Sequence, residues 1–175
     1  RIGYVSEMPQ LYPWMRVREM VRFTRSFYQH WNDVHVARLL EQFRLDPECK
    51  VQNLSRGMGA QLALVLALGH DPELLILDEP ATGLDVLVRR DFLESIVQVI
   101  QQEGRTVMLS SHMVHEVERV ADRVAVIEAG KLLACEDTDA FKGRVKKVLV
   151  RLPGAEDVAL RGVEGVSQVE GSGTR

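Results

Sequence analysis

Apolar and polar positions along this chain switch between two periods. Ile2–Val5 is a short apolar run that reads as a strand, and Pro9 and Pro13 mark the loop after it. From Val17, apolar residues recur at Met20, Val21, Phe23, Phe27, Tyr28 and Trp31, which predicts a helix over Val17–Trp31. Val36, Leu39, Leu40 and Phe43 predict a second helix over Val34–Phe43, with Asp33 as its N-cap. Residues 17–50 therefore form a small helical unit with no strand in it. An alanine-rich apolar helix follows over 57–69, and Asp71-Pro72 breaks it from the next element. Leu74–Leu77 is unbroken apolar sequence, as in a strand buried on both faces. A helix is predicted over 86–103, a second buried strand over Thr106–Leu109 and a helix over Met113–Ala121. Val124–Ile127 and Lys131–Ala134 read as strands around a tight Ala129-Gly130 turn. Lys147–Leu152 predicts one more strand, and the Gly-rich tail from Val163 fits no element. Strands alternating with helices specify an α/β domain with a mainly parallel sheet.

The sum of the composition narrows this further. With 175 residues, 46% apolar and 27% charged, the chain is long enough for one domain with a sizeable core and is not a disordered polymer. A net charge of -3 gives no basic surplus for nucleic acid, so none is expected as a partner. No apolar run approaches the roughly 20 residues that a membrane span needs. Cys49 and Cys135 have no metal-ligand spacing and read as free thiols of a reducing compartment. The chain opens on Arg1-Ile2-Gly3-Tyr4-Val5, a strand already under way, which reads as a cut through a domain.

The densest chemistry is Leu74-Leu75-Ile76-Leu77-Asp78-Glu79-Pro80. It sets two carboxylates at the carboxyl end of a parallel strand, where open sheets bind ligands. One acid there can hold Mg²⁺ through water, and its neighbour can orient or deprotonate an attacking water. Taken alone, the same string could be a strand end with two solvated acids. Leu54-Ser55-Arg56-Gly57-Met58 precedes it at a helix start. Ser55 offers an N-cap hydroxyl, Gly57 permits close approach, and a helix N-terminus attracts anions. Ala81-Thr82-Gly83-Leu84-Asp85 follows as a turn carrying one acid, and Ser110-Ser111-His112 follows the second strand. An imidazole there can contact a phosphate or the attacking water.

In order and spacing, this set resembles the ATP-binding-cassette (ABC) ATPases over roughly residues 1–134: signature motif, Walker B, D-loop and H-switch in turn. The resemblance implies a P-loop NTPase-type fold with an inserted helical subdomain at about 14–70. The cassette would run over 1–145, followed by part of a C-terminal extension over 146–175. It implies ATP and Mg²⁺ as ligands, with Asp78 as the metal-associated acid, Glu79 as the catalytic carboxylate and His112 as the switch histidine near the γ-phosphate. Ser55 and Gly57 would contact ATP held by a second subunit, and Asp85 would lie at that dimer interface. The helical unit would dock on a transmembrane permease, placing the subunit at the cytoplasmic face of the cell membrane. The alternatives are a soluble ABC ATPase that does no transport and a degenerate cassette that only binds a partner. Intact Asp78, Glu79 and His112 weigh against the second.

Several positions depart from the family pattern. Arg56 and Met58 stand where the common signature LSGGQ has Gly and Gln, and Glu7 occupies the usual Q-loop glutamine position. Glutamate can bind Mg²⁺ or water but cannot donate as an amide does. Such variants resemble ATPases paired with ABC-2-type permeases, often exporters. No Gly-x-x-x-x-Gly-Lys-Ser/Thr string is present, so the phosphate-cradling loop is expected upstream of Arg1. Outside these motifs, His30, His35 and His70 read as surface or helix-end residues. Arg16, Arg18, Arg22 and Arg25 read as a solvated helix face.

Overall fold

The computed structural model describes residues 1–144. Three parallel strands form its sheet: β1 (Ile2–Val5), β2 (Leu74–Asp78) and β3 (Thr106–Ser110), in the order β1-β2-β3. Between β1 and β2 lie α1 (Val17–Arg25), α2 (Asp33–Gln42), a 3-10 turn (Val51–Asn53) and α3 (Arg56–Leu68). The helix α4 (Val86–Glu103) joins β2 to β3, and α5 (Val114–Val120) follows. Then come the antiparallel pair β4 (Arg123–Glu128) and β5 (Lys131–Asp137), and α6 (Thr138–Arg144). Residues 1–138 form one compact unit. The strand expected over Lys147–Leu152 and the boundary expected at 145 lie outside or at the limit of the described residues.

The core explains the element order. The α3 helix is apolar nearly all round, and Leu62, Leu64, Val65 and Leu68 are fully buried in it. Val5, Leu75 and Leu77 join the same core from one sheet face, and Phe92, Leu93 and Ile96 join it from α4. Each fully buried Leu or Phe stabilises by about 1.5–3 kcal/mol relative to exposure.

Two expectations need correction here. Leu74–Leu77 is not buried on both faces: Leu75 and Leu77 are 1% and 0% exposed, but Leu74 and Ile76 are only half-buried. Nor is Thr106–Leu109 a buried strand, since no residue in it is fully covered. The strand register shows why. Ile2, Leu74 and Thr106 align across the sheet, as do Tyr4, Ile76 and Met108, and no described element covers that face.

Helix ends also differ from the pattern. The α1 helix stops at Arg25, six residues short of Trp31, where Ser26 Oγ turns back to donate to Phe23 O at 2.6 Å. Asn32, not Asp33, caps α2: its side-chain oxygen accepts from His35 N at 2.9 Å. Asp33 instead pairs with Arg25. Ser55 caps α3 as expected, accepting from Met58 N at 3.2 Å. Ala129 (φ 48°) and Gly130 (φ 76°) make the tight turn between β4 and β5. The sequence reading missed α6.

His35 and His70 lie at helix ends, as expected, but are buried there and not on the surface. The His70 ring stacks on Tyr28 with centroids 4.3 Å apart, and its Nε2–H donates to Ile2 O at 3.1 Å. His35 Nδ1 lies 3.3 Å from Asp71 Oδ1, where Arg105 also donates, while Asn32 donates to Asp71 Oδ2. The arginine face of α1 is not simply solvated: Arg16 and Arg18 pair with Glu48.

Candidate functional site

The site grows from the carboxyl end of β2. Strand pairing sets Asp78 beside Ser110 of β3, and Ser110 Oγ donates to Asp78 Oδ1 at 2.7 Å. The same hydroxyl oxygen accepts from Glu79 N at 2.9 Å. Tyr4 of β1 donates its OH to Asp78 Oδ2 at 3.3 Å. Desolvation first, then the Asp78 charge and this bond, push the Tyr4 phenol above its ordinary value, so it stays a donor at neutral pH.

Glu79 turns the chain out of the strand. Its φ is 44°, a left-handed conformation that costs a non-glycine residue on the order of 1 kcal/mol or more. The turn closes with Thr82 N donating to Glu79 O at 3.0 Å. Thr82 Oγ1 then donates to Glu79 Oε2 at 3.0 Å. His112 Nδ1 lies 2.9 and 3.0 Å from the two carboxylate oxygens. An ionised carboxylate only accepts, so Nδ1 carries the proton in this pair. The adjacent Asp78 and Glu79 therefore meet His112, 33 residues further along, at one strand end. His112 is 68% exposed and Glu79 25%, leaving the pair accessible from solvent.

A second group lies beside the first. Ser55, Gly57, Gly83, Leu84, Asp85 and Val88 line a groove of about 310 Å³, joined by Arg56, whose Nη1 donates to Gly83 O at 3.4 Å. Asp85 Oδ1 accepts from Leu87 N and Val88 N, capping α4. Gly57 meets its own chain closely: a Cβ there would stand 2.4 Å from Val88 Cγ1. Glu7 is exposed and belongs to neither group. It lines a cavity of about 410 Å³ that shares Thr82 with the first group and Arg56 and Gly83 with the second.

The donor set fits a hydrated Mg²⁺. Asp78 keeps free lone pairs beyond its two hydrogen bonds, and Mg²⁺ usually takes one or two carboxylates together with phosphates. Among the described residues, no cluster of three or more His, Cys, Asp or Glu forms a metal cage.

Tyr4 and Thr82 had no role in the sequence reading. Thr82 was legible, since Pro80 suits the second position of a turn that returns residue 82 to Glu79. Tyr4 was not, because its reach depends on register between two strands, and its partner Asp78 is 74 residues away.

Residues 1–82 match the family model described as "ABC transporter". A "Nod factor export ATP-binding protein I" from Neorhizobium galegae is 38% identical over 138 residues, covering 76% of this chain and 40% of that protein. Its namesake from Rhizobium etli is 34% identical over 166 residues, covering 92% and 50%. An uncharacterized ABC transporter ATP-binding protein from Bacillus subtilis is 33% identical over 135 residues, covering 76% and 44%. The chain holds an ABC transporter ATP-binding domain. It spans half or less of the length of these relatives. A chain of a solved ABC transporter in an inward-facing conformation superposes with a TM-score of 0.70 at 20% identity, covering 79% of this chain and 59% of that one. At that identity the likeness carries the fold alone: a mixed α/β domain with a parallel sheet, of the P-loop NTPase type.

Proposed function

We propose that this ABC ATP-binding domain hydrolyses ATP to ADP and phosphate and drives an export permease, together with a lysine-bearing glycine loop upstream of Arg1. The observation that carries this reading is the Glu79 carboxylate, gripped by Thr82 and His112 beside Asp78. Glu79 orients and deprotonates the attacking water. The Nδ1–H of His112 and the Thr82 hydroxyl hold that carboxylate in place. Asp78, its carboxylate fixed by Tyr4 and Ser110, would hold Mg²⁺. The ion supplies electrostatic neutralisation of the phosphates. Ser55, at the start of α3, with Gly57 and Asp85 faces the nucleotide and interface of a second ATP-binding subunit, and Glu7 lies on the path to the permease.

Relatives named for Nod factor export support the export direction. No described helix is long and apolar enough to cross a membrane. An exposed row of rings supports docking by the helical segment: Trp14, Tyr12, Phe23 and Phe27 follow one another at 5.1, 5.3 and 5.0 Å between centroids. The cassette then sits at the cytoplasmic face of the cell membrane.

The deciding experiment is Glu79→Gln in the full-length protein. Steady-state hydrolysis should fall by roughly 10²–10⁴-fold while ATP binding persists. A variant as active as wild type removes Glu79 from its role.

A further inference from the structure

A buried ion pair links the two loops that the proposed reaction uses. Arg89 lies in the first turn of α4 and Glu116 in the first turn of α5. Their side chains are 22% and 7% exposed, and Arg89 Nη1 stands 3.3 Å from Glu116 Oε1. Oε1 has no aligned hydrogen bond among the described residues, so the link there is a charge contact. Each partner spends its other arm on a loop. Arg89 Nη2 donates to Leu84 O at 2.9 Å, inside the turn that carries Asp85. Glu116 Oε2 accepts from Ser111 Oγ at 3.0 Å, and that hydroxyl oxygen accepts from Met113 N at 3.1 Å. These bonds bracket His112. A continuous polar chain thus runs from Leu84 through Arg89, Glu116 and Ser111 to the residue next to His112.

A carboxylate this well covered is costly to bury without a cation. Removing either partner leaves the other charge buried and uncompensated, so the two loops cannot shift independently without breaking the pair. We infer that Arg89 and Glu116 are positioning residues that lock the Asp85 turn and the His112 loop into one unit. Neither touches the site at Glu79; both act through the loops that do. The consequence for hydrolysis rests on the function proposed above, whereas the mechanical link between the loops does not.

Amide hydrogen exchange on the full-length protein tests the link directly. Glu116→Gln should raise exchange severalfold at residues 111–113 and, across the pair, at 83–86. Arg89→Lys keeps the charge but cannot serve Leu84 and Glu116 together. It should produce a smaller rise at both places, and it carries the test if Glu116→Gln does not fold. A rise confined to the loop beside each substitution overturns the inference. In ATP hydrolysis, Glu116→Gln should lower kcat about tenfold with KM for MgATP within about twofold, as expected for a misplaced catalytic loop. A wild-type kcat in that variant also overturns it. Wild-type protein without hydrolysis but with coupled exchange would instead sink the ATPase reading and leave the loop coupling standing.

Discussion

Gly57 shows how one residue can satisfy two demands. At sequence level its place in Leu54-Ser55-Arg56-Gly57-Met58 reads as room for a phosphate. In the fold, the missing side chain makes room for Val88 of α4, which would stand 2.4 Å from a Cβ. The N-terminus of α3 is thereby held against the turn that carries Asp85. Gly57→Ala should destabilise the domain by about 1–3 kcal/mol, the usual cost of overpacking a filled contact. Val88→Ala in the same protein should recover part of that loss, since the clash is with its Cγ1. Chemical denaturation of the single and double variants measures both values. Additive losses would show that the glycine is not there for α4.

At the scale of elements, the junction between the helical segment and the sheet carries a pH dependence. His70, between α3 and β2, is buried, and that burial chiefly lowers the pKa of its imidazole. The bond to Ile2 O opposes the shift, while Arg1 and Arg105 add to it. Nδ1 has no partner among the described residues, so a second proton would enter an unsatisfied buried position. The unfolded chain binds that proton more readily than the folded one. Stability is therefore complete above the ordinary imidazole value of about 6.5 and declines as pH falls below it. Asp71 beside it acts lower down. Burial alone would raise its pKa, but bonds from Asn32, Arg105 and His35 outweigh that and hold it below the ordinary carboxylate value. Its contribution is present above that value and is lost only as pH falls through the folded one. Unfolding midpoints measured from pH 7 to 5 should therefore drop, and His70→Phe, which keeps a ring against Tyr28, should flatten the drop. An unchanged slope in that variant would assign the effect elsewhere.

This junction also marks where legibility ended. Strand and helix types followed from periodicity, and the meeting of Asp78, Glu79 and His112 followed from motifs at strand ends. His35 and His70 did not, because nothing local distinguishes a buried histidine from a solvated one. Their partners, Asp71 and Ile2, lie 36 and 68 residues away. The Asn32 cap was missed for a smaller reason: Asn32 and Asp33 are both good caps, and only the backbone decides between them. The Arg89–Glu116 pair joins two helices whose relative placement no single-sequence pattern specifies.

For the whole molecule, the two faces of the sheet have unequal fates. Gly3, Leu75 and Val107, then Val5, Leu77 and Leu109, align on the face that packs into the core. The other face lines up Ile2 with Leu74 and Tyr4 with Ile76 and Met108. Of these, Ile2, Tyr4 and Met108 are 61%, 57% and 63% exposed. Parallel sheets normally cover both faces, and a contiguous apolar patch left in water drives association. A net charge of -3 is too small to oppose that by repulsion. The 175-residue chain on its own should thus self-associate at tens of micromolar, visible as a concentration-dependent sedimentation coefficient, and should enhance the fluorescence of an apolar dye. Ile2→Lys with Met108→Lys puts two cations on the exposed face and touches no buried side chain. The pair should reduce both signals while shifting the unfolding midpoint by little. If the doubly charged chain associates as strongly as the original, contact runs through another surface, of which the exposed Ile127, Leu132 and Leu133 of β4 and β5 are the next to charge.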